Sequence, residues 1–252
     1  MQRFLLRLAL ILVVLLMVAA GLAYWRLGKA ESWETEIRSY EQSDRVAQPQ
    51  PGVIVFTGSS SIRLWDTLAD DMKPLDVINR GFGGSQLFQV NRFAHRIILP
   101  YHPRAVVLYC GDNDLSWPAL KSPETVLADF QQFVEIVHSA LPETWIYYLS
   151  IKPSTLRWNR WPEMQRANAL IAAFARTQER VQFIDISSPM LDSAGKPRRD
   201  LLNGDGLHPG PKCYQLWLSI IKPVLIQRFG PAAATSLPFP SGNVISQGSH
   251  GF

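Results

Sequence analysis

The chain has 252 residues, 47% of them hydrophobic and 18% charged, with a formal net charge of +4 and an isoelectric point near 9.2. That composition supports one packed domain of about 200 residues plus tails and argues against a disordered chain. The basic residues are scattered rather than clustered with aromatics, which argues against a nucleic-acid partner, and Cys110 and Cys213 are too few for a disulfide framework or a metal cluster.

Arg3 and Arg7 lead into residues 8–25, which carry no charge. As a helix that run is about 27 Å long, close to the roughly 30 Å of a bilayer's hydrocarbon core. Tyr24 and Trp25, followed by Arg26 and Lys29, read as an interfacial anchor. Two readings stay open for residues 1–30. The preferred one is an uncleaved single-pass membrane anchor. The other is a secretory signal, with Val18-Ala19-Ala20 or Gly21-Leu22-Ala23 as its cleavage site. No Cys follows the run, which excludes a lipoprotein anchor. Either reading places the rest of the chain outside the cytoplasm, in a bacterial periplasm. Residues 31–51 are polar, close on Gln48-Pro49-Gln50-Pro51, and read as a linker or short helix leading to the domain.

Residues 52–229 alternate short apolar runs with longer amphipathic ones. Strands are predicted at 53–56, 77–78, 105–109, 145–149 and 181–184 from length and β-branching. Ser122 with Pro123 predicts a helix start, after which Val126, Phe130, Phe133, Val134 and Val137 share one face. Met164, Ala167, Leu170, Ile171 and Phe174 predict a second helix. Tyr214, Trp217, Ile221 and Leu225 predict a third, which Pro223 is expected to kink or shorten. Residues 230–252, rich in Ala, Ser, Gly and Pro, read as a disordered tail. Strands alternating with helices imply an α/β sandwich around a mostly parallel five-stranded sheet. Right-handed crossovers then bring every strand's carboxyl end to one rim, where such sheets bind ligands.

Four clusters fall on that rim. Gly58-Ser59-Ser60-Ser61 follows the first strand, and Asn79-Arg80-Gly81-Phe82-Gly83-Gly84-Ser85 the second. Gly111-Asp112-Asn113-Asp114 follows the third, and Asp205-Gly206-Leu207-His208-Pro209 lies beyond the fifth. An acid three residues before a histidine, bracketed by Gly and Pro, reads as a tight loop. It can aim a carboxylate at one imidazole nitrogen and leave the other as a base. Ordinary readings exist for each cluster: a helix N-cap for the serines, a phosphate-binding turn for the glycines, and a turn or cation site for the paired acids. Together they point to acyl transfer, which needs a serine nucleophile, an oriented base and donors for an oxyanion.

With these blocks in this order, the chain from about residue 52 to 228 resembles the SGNH-hydrolase superfamily, the GDSL-type esterases and lipases. The resemblance implies a flavodoxin-like three-layer α/β/α sandwich and a serine esterase acting on carboxylic esters, with no metal or organic cofactor. Carried over position by position, it implies Ser60 as nucleophile and Asp205 with His208 as orienting acid and base. The oxyanion donors would be the backbone N–H groups of Ser60 and Gly84 and the side-chain amide of Asn113. The first block departs from the family's usual Gly-Asp-Ser-Leu. Ser59 stands for the Asp and Ser61 for the Leu, so three consecutive serines compete for the nucleophile's place.

Residues 152–161 follow the fourth strand and should overhang the rim. Trp117, Arg157 and Trp158 are candidates to stack on a sugar or hold an anionic headgroup, unless the loop packs its aromatics against the domain. The family resemblance reaches lysophospholipase-like and platelet-activating-factor-acetylhydrolase-like esterases and carbohydrate acetylesterases. The expected substrate is therefore a small-molecule, lipid or glycan ester. Two alternatives stay open: an envelope-glycan O-acyltransferase or deacetylase using the same site, and a non-catalytic membrane-anchored binding domain. The intact Ser60, Asp205, His208 and Asn113 set argues against the second.

Overall fold

The computed structural model describes residues 2–28 and 33–231. The expectation of a disordered tail from residue 230 falls almost wholly outside them. Helix α1 (Gln2–Gly28) occupies the apolar N-terminal run, with its side chains exposed from Leu10 through Val18. Among the described residues no helix is long and apolar enough to cross a membrane. The spanning anchor expected at residues 1–30 is thus unsupported by the structure.

Residues 31–51 hold more than a linker. Helix α2 (Glu34–Val46) starts with Glu34 and Glu36 in its first turn, where acids suit the positive end of the helix dipole. It buries Ile37, and the preceding Trp33, in the hydrophobic core. Arg96 clasps it from the domain, meeting Glu41 Oε1 at 2.6 Å and Glu34 Oε2 at 2.7 Å.

The sheet contains β1 (Ile54–Gly58), β2 (Val77–Gly81), β3 (Ala105–Tyr109), β4 (Trp145–Leu149) and β5 (Val181–Ile184). Its order is β2-β1-β3-β4-β5, with every pair parallel. The strands read as continuous apolar runs because both faces are covered. Val55, Val106, Leu108, Ile146 and Tyr148 point into one core, beneath α2, α5 (Leu87–Ile97), α6 (Pro123–Ala140) and α7 (Trp161–Ala175). Phe56, Val107, Tyr109, Tyr147 and Leu149 point into the other. That core is closed by α3 (Ser60–Arg63), α4 (Leu68–Asp71) and α8 (Pro211–Phe229).

The predicted strands are present, with β2 extended to Gly81 and β1 to Gly58. Ser122 caps α6 as expected, accepting the Thr125 N–H at 3.1 Å. Helix α8 is not shortened at Pro223 and runs on to Phe229, its Trp217, Ile221 and Leu225 buried on both sides of the proline. Tertiary burial outweighs the one lost hydrogen bond there. Cys110 and Cys213 are free buried thiols, one in each core.

Candidate active site

In register, Gly58 at the end of β1 lies beside Gly81 of β2 and Tyr109 of β3. The fit leaves no room for a side chain. A Cβ on Gly58, whose φ is +120°, would sit 1.9 Å from the Tyr109 carbonyl oxygen. The turn that glycine permits feeds directly into α3, and the three serines meet different surroundings there. Ser59 is buried at the N-cap position, makes no capping bond, and its hydroxyl has no hydrogen-bond partner among the described residues. Ser61 is buried as well, its carbonyl accepting the Tyr214 hydroxyl at 3.0 Å. Only Ser60 turns its Oγ to the histidine, 3.0 Å from His208 Nε2.

The acid–histidine loop closes as its spacing predicts. His208 Nδ1 lies 2.5 Å from Asp205 Oδ2, while Asp205 Oδ1 accepts the N–H groups of Leu207 at 2.8 Å and His208 at 3.0 Å. Burial raises the Asp205 carboxyl, but the hydrogen bonds from the His208 ring and the two backbone N–H groups outweigh it and hold it at about 2. An ionised carboxylate can only accept, so the proton sits on Nδ1 and the Nε2 lone pair faces the Ser60 hydroxyl.

Residues from the β4 exit brace this loop. Thr155 Oγ1 and Leu156 N–H both donate to the Gly206 carbonyl at 3.0 Å. Lys152, only 1% exposed, donates from Nζ to the Leu207 carbonyl at 2.7 Å. Burial pushes its ammonium below the usual lysine range, against the pull of Asp112 3.9 Å away. Sequence reasoning missed Lys152 and Thr155 as supports of the histidine loop. Their signal was present, since both follow β4 on the catalytic rim, but the neighbouring aromatics drew the reading toward substrate.

The glycine block leaves β2 under similar constraint. A Cβ on Gly81 would lie 2.6 Å from the Arg63 nitrogen, and Asn79 Nδ2 donates to the Ile62 carbonyl at 2.7 Å. Gly84 has φ +71°, a left-handed backbone that glycine adopts freely. Neither its N–H nor that of Ser60 has a partner among the described residues. Asn113, from the β3 exit, donates from Nδ2 to the Ser85 carbonyl at 2.9 Å, which leaves its second amide hydrogen free. Its Oδ1 accepts Arg157 Nη2 at 2.8 Å.

Arg157 also lies 3.0 Å from Asp112 Oδ2, and Lys121 lies 3.0 Å from Asp114 Oδ1. Each acid of the third block is thus occupied by a basic side chain, and the cation-site reading falls. Arg157, expected to meet substrate, is held by Asn113 and Asp112, and Trp158, also expected there, is half-buried at the wall of a cleft near the histidine loop. Trp158 stacks on Trp161 with ring centroids 5.9 Å apart, and the Lys196 ammonium covers it at 5.1 Å. Trp117 is different, remaining 64% exposed. Beside the histidine loop opens a cleft of about 890 Å³, lined by Thr155, Trp158, Lys196, Arg198, Arg199 and Asp200. A second cavity, of about 690 Å³, lies at the amino ends of β3 and β4 near Arg104, Trp145 and Arg180, away from the rim.

The model of the GDSL-like lipase/acylhydrolase family matches residues 48–216. No curated protein sequence matches significantly. Solved structures do. A Streptococcus pneumonia protein provisionally described as a platelet activating factor shares 22% identity over 83% of this chain and 98% of its own, with a TM-score of 0.68. A GDSL-like lipase from Bacteroides thetaiotaomicron shares 21% over 80% and 98%, at 0.66. A carbohydrate esterase family 3 protein from Talaromyces cellulolyticus shares 19% over 69% and 97%, at 0.56. At such identities these likenesses establish the fold, while the family match spans well over half the chain. The chain belongs to the GDSL-like lipase/acylhydrolase family, within the SGNH hydrolases, and is a carboxylic ester hydrolase.

Proposed function

We propose that the protein is a serine esterase in which Ser60 attacks an acyl or acetyl ester. One observation carries this reading: the Ser60 Oγ lies 3.0 Å from His208 Nε2, with Asp205 2.5 Å behind on Nδ1. As the Ser60 oxygen bonds to the ester carbon, its proton passes to Nε2, and Asp205 stabilises the imidazolium. The oxyanion is met by the N–H groups of Ser60 and Gly84 and by the free amide hydrogen of Asn113. His208 then returns the proton to the departing alkoxide as the carbon–oxygen bond breaks. Water, activated by the same histidine, releases the acid from the acyl-enzyme.

The cleft beside the histidine loop supports an ester borne on an anionic or hydroxyl-rich carrier, such as a lysophospholipid or a glycan. Lys196 and Arg199 supply positive charge there, and Asp200 is neutralised by Arg198 at 3.2 Å. Exposed Trp117 supports a stacking or acyl-covering contact at the other side of the rim. We also propose that α1 holds the enzyme at a membrane with its domain outside the cytoplasm. The exposed apolar side chains from Leu10 to Leu22 support that role.

The test is hydrolysis of p-nitrophenyl esters, from acetyl to long acyl, by the full chain beside Ser60→Ala, with fluorophosphonate labelling of both. Turnover and labelling should vanish together in the variant. Wild-type turnover in pure Ser60→Ala would sink the mechanism, and labelling without hydrolysis would point to an acyl acceptor other than water.

A further inference from the structure

We infer that Trp33, which precedes the family-matched residues 48–216, is a positioning residue for the oxyanion hole. The inference rests on the esterase mechanism proposed above. Gly83 and Gly84 share one trans peptide unit, so the Gly83 carbonyl and the Gly84 N–H point in opposite directions. With glycine on both sides, little steric resistance prevents that unit from rotating. A flipped unit would turn a carbonyl oxygen toward the developing oxyanion, replacing attraction with repulsion.

The Trp33 indole N–H donates to the Gly83 carbonyl. This bond fixes the carbonyl outward and thereby aims the Gly84 N–H inward, where no other group in the described residues takes it. It also polarises the peptide and strengthens that N–H as a donor. The indole itself is held firmly. Trp33 is 7% exposed and meets Phe82 edge-on at 6.1 Å, and Phe82 meets Phe93 at 5.8 Å. Helix α2, which continues from Trp33, is tied to Arg96 through Glu34 and Glu41 and to Tyr101 through Asp44 at 2.6 Å.

A neighbouring bond provides an internal control. The Tyr40 hydroxyl donates to the Gly81 carbonyl. The N–H of that peptide unit belongs to Phe82 and is spent on the Gly58 carbonyl at 2.9 Å. Losing the Tyr40 bond therefore leaves the Gly84 donor untouched.

Full-length Trp33→Phe and Tyr40→Phe are compared with wild type on p-nitrophenyl acetate. Trp33→Phe should lower kcat about 10- to 100-fold with KM within about twofold, and slow fluorophosphonate labelling by the same factor. Tyr40→Phe should keep kcat within about twofold. Wild-type kcat in Trp33→Phe, or an equal loss in Tyr40→Phe, would overturn the assignment. If Trp33→Phe does not fold, benzothienylalanine at position 33 keeps the indole shape without its N–H. Wild-type turnover in that protein would overturn the assignment, and the kcat loss given above would support it. Ser60→Ala separates the two levels: if it stays active the esterase mechanism itself fails, whereas Ser60-dependent turnover unaffected at position 33 defeats this inference alone.

Discussion

Asn113 is gripped at both ends of its amide, by the Ser85 carbonyl on one side and the Arg157 guanidinium on the other. Without Arg157 the amide can rotate and offer its oxygen where a donor is needed. Removing an oxyanion donor costs about 10²–10³ in rate, so Asn113→Ala should fall in that range. Arg157→Ala should cost about tenfold in kcat, and should add nothing in an Asn113→Ala background. Additive losses in the kinetics of the double variant would show that Arg157 acts elsewhere. The sequence pointed to Asn113 through its block but could not show Arg157's partner, 44 positions away. The family resemblance picked Ser60 from the three serines, a choice the residues alone left open for a similar reason. It depends on the backbone turn at Gly58, which the motif requires but whose direction no spacing reveals.

Whole elements were legible where burial is two-sided and periodic, as in β3, β4 and α6. Helices α2 and α5 were not predicted as core elements. The polar surface of α2 hides a single fully buried residue, Ile37. Helix α5 begins with a capping box built from Gln86 and Gln89, with Gln in the N-cap place where Ser or Thr usually announces one. The connection from β3 to α6 carries a testable charge. Burial pushes the Asp114 carboxyl from 3.8 up to about 6, against the pull of Lys121. Its folded pKa is raised, so the protonated form favours folding, and that contribution is lost as pH rises from about 4 through about 6. Asp114→Asn should therefore flatten this part of the curve of stability against pH. Denaturant titrations at several pH values would expose the idea as wrong if wild type and variant kept equal slopes.

At the scale of the whole molecule, the parallel order of the sheet delivers blocks scattered from Gly58 to His208 to one rim, which is why their sequence order was informative. The N-terminal helix lies outside that logic. If α1 seats the enzyme at a membrane, the full chain should sediment with membranes and need detergent for release. A chain lacking residues 2–28 should be released freely with unchanged kcat, and a full chain found free of membranes would refute the seat. Helix α2 has a practical consequence. The family match begins at residue 48, yet the core begins at Trp33. A fragment cut where the similarity starts would strip Trp33 and Ile37 from the core and leave Arg96 without Glu34 and Glu41. It would expose the flank of α5 to water and invite aggregation. The unit that folds as one piece therefore starts well ahead of the family match.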